Sequence, residues 1–106
     1  MDDVTQALID ALALIDREGW TQGQLHHPRF GYCPRGAVNM AANGDPRVPC
    51  TEAHRALQAA LPDGYRDWAV QWWNDLHERT YADVRGLFVR AIAARAATMG
   101  RTLVAA

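Results

Sequence analysis

Apolar positions recur at helical spacing in three long segments of the chain. In residues 3–18, Val4, Leu8, Ala11, Leu12 and Ile15 make one face, and no proline or glycine interrupts it. Ile9 and Leu14 widen that face, so the predicted helix is covered on more than one side. Gly19 stands where a helix ends in a left-handed residue, which would deliver Trp20 onto the core. Ala53, Ala56, Leu57, Ala60 and Leu61 predict a second amphipathic helix over 52–61. Thr51 is its expected N-cap, and Pro62-Asp63-Gly64 closes it. Val84, Leu87, Phe88, Ala91 and Ile92 form the third stripe. Thr80 caps this last helix, and Asp83 completes a capping-box-like pattern with the shorter acid. Gly100 is its expected end, with a frayed tail to Ala106.

The segments between are less regular. Gln24 to Arg35 carries His26, His27, Pro28, Gly31 and Pro34 and reads as a loop, with a short extended piece at 30–33. A loop of that length in a small domain is often functional. Gly36 to Ala42 predicts a helix of about two turns, burying Ala37, Val38, Met40 and Ala41. Asn43-Gly44-Asp45-Pro46 is a turn signal, and the chain to Pro49 is linker. Residues 65–76 fit two periods. Trp68, Trp72, Trp73 and Leu76 suit a helix, while Trp68, Val70 and Trp72 suit a strand; length and helical neighbours favour the helix. The expected architecture is all-α: one compact domain over 1–106, a bundle of four to five helices joined by irregular loops.

Composition narrows the function classes. The chain has 106 residues, 49% hydrophobic and 22% charged, with a formal net charge of −1. That charge opposes general nucleic-acid binding, which needs a basic footprint. Arg90 and Arg101 would share a helix face, but a solvated face explains them better. No apolar run approaches the ~18 residues of a membrane span, and Met1-Asp2-Asp3-Val4 lacks a basic leader region. The expected location is the cytoplasm, with Cys33 and Cys50 as reduced thiols. All basic residues other than histidine are arginine, and alanine is abundant, a bias that GC-rich codons also produce.

Three constellations bear on chemistry. Cys33 lies at a helix start, where a thiol pKa falls. His54 or His77 would be its base, and Asn74 or Asp75 its orienter, giving a Cys/His hydrolase or transferase. Cys33 reads more readily as a small buried apolar residue. His26, His27, Cys33, Cys50, His54 and His77 are the borderline metal ligands. With no Cys-x-x-Cys or His-x-x-x-His pair among them, no metal and no cofactor are expected. The third is a pair of tryptophan-polar stretches, Trp20-Thr21-Gln22 and Trp73-Asn74-Asp75. Buried indoles want a partner for the N–H, and Gln22, Asn74 and Asp75 offer one. The two stretches are expected to meet in one hydrogen-bonded knot, with Arg79 pairing Asp75. Trp20, Gln22, Trp73, Asn74, Asp75 and Arg79 thereby make up either a structural junction or a binding surface.

Gly19-Trp20-x-Gln22-Gly23, Cys33-x-x-Gly36-Ala37, and Trp73-Asn74-Asp75 with Arg79-Thr80 and Val84 occur in this order. Over Leu8 to Ala91 this set resembles a family of small uncharacterised proteins found in actinobacteria and their phages. The resemblance implies a compact, mainly helical, cytoplasmic protein of actinobacterial or phage origin, and implies no activity. Many members carry a cysteine where this chain has Thr21, so it implies no paired-thiol or metal role shared with Cys33. The expected function is a small helical binding or regulatory module. It would act through a protein partner or small ligand, with host modulation if phage-encoded and homo-oligomerisation open. The alternative is the Cys33 enzyme.

Overall fold

The computed structural model describes residues 2–105, with side chains described through Thr98. Five helices and one two-stranded hairpin make up the described chain. Helix α1 spans Asp3–Glu18, and the Asp2 carboxylate caps it by accepting the Thr5 N–H at 2.7 Å. Leu8, Ala11 and Ile15 are its fully buried stripe. Gly19 ends the helix, its N–H donating to the Ile15 carbonyl at 2.8 Å, but not in the left-handed helical conformation expected. Its φ of 108° and ψ of 170° send the chain out extended, against the next strand. A Cβ on Gly19 would lie 2.3 Å from the Phe30 carbonyl oxygen, so only glycine fits.

The expected loop contains a hairpin, β1 His26–His27 with β2 Gly31–Tyr32, antiparallel. His27 Nδ1 closes its turn by accepting the Arg29 and Phe30 N–H groups at 3.0 and 3.2 Å. Tyr32 also bonds back to the chain leaving α1: Thr21 N–H donates to its carbonyl at 3.1 Å, and its N–H donates to Gly19 at 3.0 Å.

Helix α2 covers Pro34–Asn43, two residues earlier than its hydrophobic run suggests, because Pro34 suits the first helical position. Cys33 is the N-cap, its Sγ accepting the Gly36 N–H at 3.4 Å. Buried Asn39 then folds the linker. Its Nδ2 donates to the Pro46 carbonyl at 2.8 Å, and its Oδ1 accepts the Cys50 N–H at 3.2 Å and meets His54 Nε2 at 2.8 Å.

Helix α3 is Thr51–Ala59. Thr51 is its first residue and not its cap; Cys50 takes the cap position and makes no side-chain bond there. The helix stops short of 61, yet Leu61 remains buried. Bonds from Ala60 N–H to Leu57 and from Leu61 N–H to Gln58 tighten the last turn ahead of Pro62.

Only Val70–Asn74 of the ambiguous 65–76 segment is helical, as α4. Turns closed by Tyr65 N–H to Pro62 and Trp68 N–H to Tyr65 precede it. Helix α5 runs Tyr81–Ala105. The expected capping box is present: Thr80 N–H donates to Asp83 Oδ2 at 3.1 Å, and Asp83 N–H to Thr80 Oγ1 at 3.2 Å. The helix continues through Gly100, a glycine that costs about 1 kcal/mol in a helix interior without breaking it.

Val84, Leu87, Phe88 and Ala91 of α5 meet the α1 stripe, Val38 of α2 and Leu57 of α3 in one core. At the edge of the α1–α5 contact, Asp16 accepts the Tyr81 hydroxyl and the Arg85 guanidinium, the latter at 3.0 Å. Among the described residues no helix is long and apolar enough to cross a membrane.

Candidate functional site

The two tryptophan-polar stretches meet. Trp20 Nε1 donates to Asn74 Oδ1 at 2.6 Å, across 54 residues of sequence. Asn74 Nδ2 donates to the Thr21 carbonyl and to Asp75 Oδ1, both at 3.2 Å. Gln22 Nε2 donates to the backbone carbonyls of Asn74 at 2.7 Å and Leu76 at 3.0 Å. The Gly23 N–H donates to Asp75 Oδ1 at 2.8 Å. Helix α4 presents this set because Val70, Trp73 and Asn74 fall on its inner face. The loop after α1 reaches it because Gly19 and Tyr32 hold Trp20 in place.

Arg79 departs from expectation. It pairs with Asp83 at 3.4 Å and not with Asp75, and its Nε donates to the Trp73 carbonyl at 3.1 Å. Its guanidinium carbon lies 4.2 Å from the Trp73 ring centroid, a cation–π contact that draws it over the indole towards α5. Asp75, turned the other way, serves the Gly23 amide. Trp73 is 1% exposed, and its N–H finds no hydrogen-bond partner among the described residues; nor does Arg79 Nη2. The indole thus contributes buried area and a π face, not the hydrogen bond its neighbours suggested.

Of the six candidate residues, Trp73 and Asn74 are buried, Trp20 and Arg79 half-buried, and Gln22 and Asp75 exposed. Trp72, next in line, is 65% exposed. The adjacent indoles therefore face opposite ways, one into the core and one into solvent.

The cysteine constellation does not assemble as drawn. Cys33 is 3% exposed, and burial pushes its thiol pKa up, against the Gly36 N–H that lowers it. His54 is turned to Asn39, and His77 is exposed near the start of α5. Among the described residues, no hydrogen bond joins Cys33 to either histidine. Burial, and after it the charge of Arg35, hold the His54 pKa below its ordinary value. Cys33 and Cys50 are both free thiols. His26 stacks on Tyr32 at 4.3 Å, and His27 closes the hairpin. Among the described residues no group of three or more His, Cys, Asp or Glu gathers as a metal site requires. Arg90 Nε donates to the Ala60 carbonyl at 3.2 Å, while the Arg101 side chain lies outside the described residues.

Two adjoining clefts share Arg35 and Gln71 in their walls. One, of about 300 Å³, is completed by Gly23, Gln24, Leu25, Cys33 and Asp75. The other, of about 290 Å³, is completed by Pro49, Thr51, His54, Gln58, Ala69 and Val70. Neither Arg35 nor Gln71 stands out in the sequence by periodicity. One signal was available: Arg35 follows Pro34 in the first turn of a helix, where the dipole disfavours a cation.

Residues 1–94 match the model of a family of unknown function, DUF6197, and the chain belongs to that family. No curated protein and no solved structure matches the chain significantly.

Proposed function

We propose that the protein is a non-enzymatic binding module that engages a protein partner through the outer face of α4. The observation that carries this reading is the position of Trp72. It is a 65%-exposed indole on a five-residue helix whose next two residues, Trp73 and Asn74, are buried. An exposed aromatic held by a rigid base loses little freedom on binding, and such residues dominate interface energetics. Asp75 and Gln22, both exposed, supply polar contacts beside it. The knot below holds the surface in shape. The arginine- and alanine-rich, lysine-free composition fits a GC-rich genome. Together with the resemblance to small actinobacterial and phage proteins it favours a cytoplasmic role in such a host, host modulation if the chain is phage-encoded.

The test is affinity capture from the native host with wild type, Trp72→Ala and Asp75→Ala. Trp72 contributes little to the core, so Trp72→Ala leaves folding stability within about 0.5 kcal/mol, as at other exposed sites. The expected result is a partner held by wild type and lost from the folded Trp72→Ala protein. The same proteins captured by wild type and Trp72→Ala would overturn the reading. Sedimentation at rising concentration separates self-association through the same indole from binding of a different chain.

A further inference from the structure

Three arginines of the described chain are half-buried: Arg35, Arg79 and Arg95. Arg79 pairs with Asp83 and Arg95 with Asp2. Arg35 has no carboxylate within salt-bridge distance among the described residues. Its Nη1 donates to a neutral acceptor, Gln71 Oε1, at 2.5 Å. A partly desolvated cation without a counter-charge is unfavourable. Its place in the first turn of α2 adds to the cost, because the helix dipole there repels positive charge. Asp75 lines one adjoining cleft with Arg35 but makes no ion pair with it; its Oδ1 accepts the Gly23 and Asn74 N–H groups.

The other cleft has no carboxylate in its wall. Arg35 shares it with Thr51, Gln58, Gln71 and the apolar Val70; the Gln58 Nε2 already donates to the Arg66 carbonyl. Its volume of about 290 Å³ suits a small group and not an extended ligand. We propose that this cleft binds a small oxyanion, carboxylate or phosphoryl, with Arg35 as its charge partner and Thr51 as a further donor. The guanidinium matches either group, since its planar fork donates to two oxygens at once. Gln71 fixes the guanidinium from one side and leaves its remaining donors for the ligand. This site is independent of the Trp72 surface: either can fail without the other.

The experiment is a titration of the full ¹⁵N-labelled chain with sodium phosphate and, separately, sodium acetate, at constant ionic strength set by sodium chloride. Saturable shifts at the Arg35 Nε–H and the Thr51 and Glu52 amides are expected. Saturation with phosphate alone assigns the phosphoryl class; saturation with acetate, alone or as well, assigns the carboxylate class. Arg35→Gln should weaken binding at least about tenfold, the loss of one charge-assisted hydrogen bond. Gln71→Glu is a second variant that keeps the fold, because it gives Arg35 an internal carboxylate, and it should weaken binding similarly. Linear, unsaturable drift with both anions would overturn the proposal. So would wild-type saturation in either folded variant.

Discussion

Replacing Asn74 by alanine removes the centre of the knot while leaving the helix that carries it free to form. The side chain is fully buried; it accepts from Trp20 Nε1 at 2.6 Å and donates to the Thr21 carbonyl at 3.2 Å. Two such bonds contribute about 1 kcal/mol each, net of the water they displace. Alanine also leaves the buried Thr21 carbonyl and a half-buried indole N–H without their partner. Each orphaned group costs about 1–3 kcal/mol in place of the net bond value, so the whole change should cost about 2–6 kcal/mol. That is a large part of the roughly 5–15 kcal/mol by which a domain is stable. At about 4–8 °C per kcal/mol for a chain of this size, the melting temperature should fall by about 8 °C or more. Urea unfolding followed by circular dichroism measures the loss, and a double-mutant cycle with Trp20→Phe assigns it. Because both changes delete the same bond, the double variant should lose less than the sum of the singles by about 1 kcal/mol or more. A loss under about 1 kcal/mol for Asn74→Ala, or additivity within about 0.5 kcal/mol, would refute the reasoning.

Two further expectations rest on other parts of the fold. A Cβ on Gly36 would sit 1.9 Å from the Leu25 backbone carbonyl oxygen, so Gly36→Ala must displace the chain before the hairpin. It should cost several times more than Gly64→Ala, which meets nothing within 4 Å and bears only the strain of its positive φ, about 1–2 kcal/mol; equal urea midpoints would contradict this. At low pH, Thr5 bonds and then Arg95 hold the Asp2 carboxyl at about 2 against an ordinary 3.8, and Asp16 and Asp83 are lowered as well. Lowered native pKa values stabilise above the unfolded value, and that stability is lost as pH falls through the native one. The urea midpoint should therefore hold steady above about pH 5, fall from about pH 4 towards pH 2, and fall less steeply in Asp2→Asn. An unchanged slope in Asp2→Asn would remove Asp2 from the account.

The sequence made the long helices legible because each buries one uninterrupted stripe. Leu8, Ala11 and Ile15, then Ala53 and Leu57, then Val84, Leu87, Phe88 and Ala91 all lie in the core. The Thr80–Asp83 box was legible for the same local reason. Elements fixed by distant contacts were not. The hairpin depends on His27 closing a turn and on Tyr32 bonding to the chain that leaves α1, neither of which has a period. Helix α4 is five residues long, too short for periodicity to separate it from a strand. The meeting of the two tryptophan stretches could be read from their content, since indoles and amides satisfy each other. The partner of Arg79 could not. Asp75 and Asp83 are both four residues away, and the choice turns on which side of Trp73 the guanidinium stacks.

That choice separates the Trp72–Thr80 stretch into two roles. Trp73 and Asn74 face inward, and Asn74 is saturated by bonds to its own chain. Both of its amide protons are used inside the chain, and burial keeps its oxygen from a ligand unless the fold gives way. Substituting it should abolish binding only by way of stability. Trp72 faces outward, and Arg35 is held by a neutral amide across the cleft beside α4. Each keeps unused capacity, an apolar surface in one case and N–H donors in the other. On the proposed function, recognition falls to the side chains that flank the knot. The functional signature to look for is a variant that loses a ligand while keeping its melting temperature, which Trp72→Ala and Gln71→Glu can give and Asn74→Ala cannot.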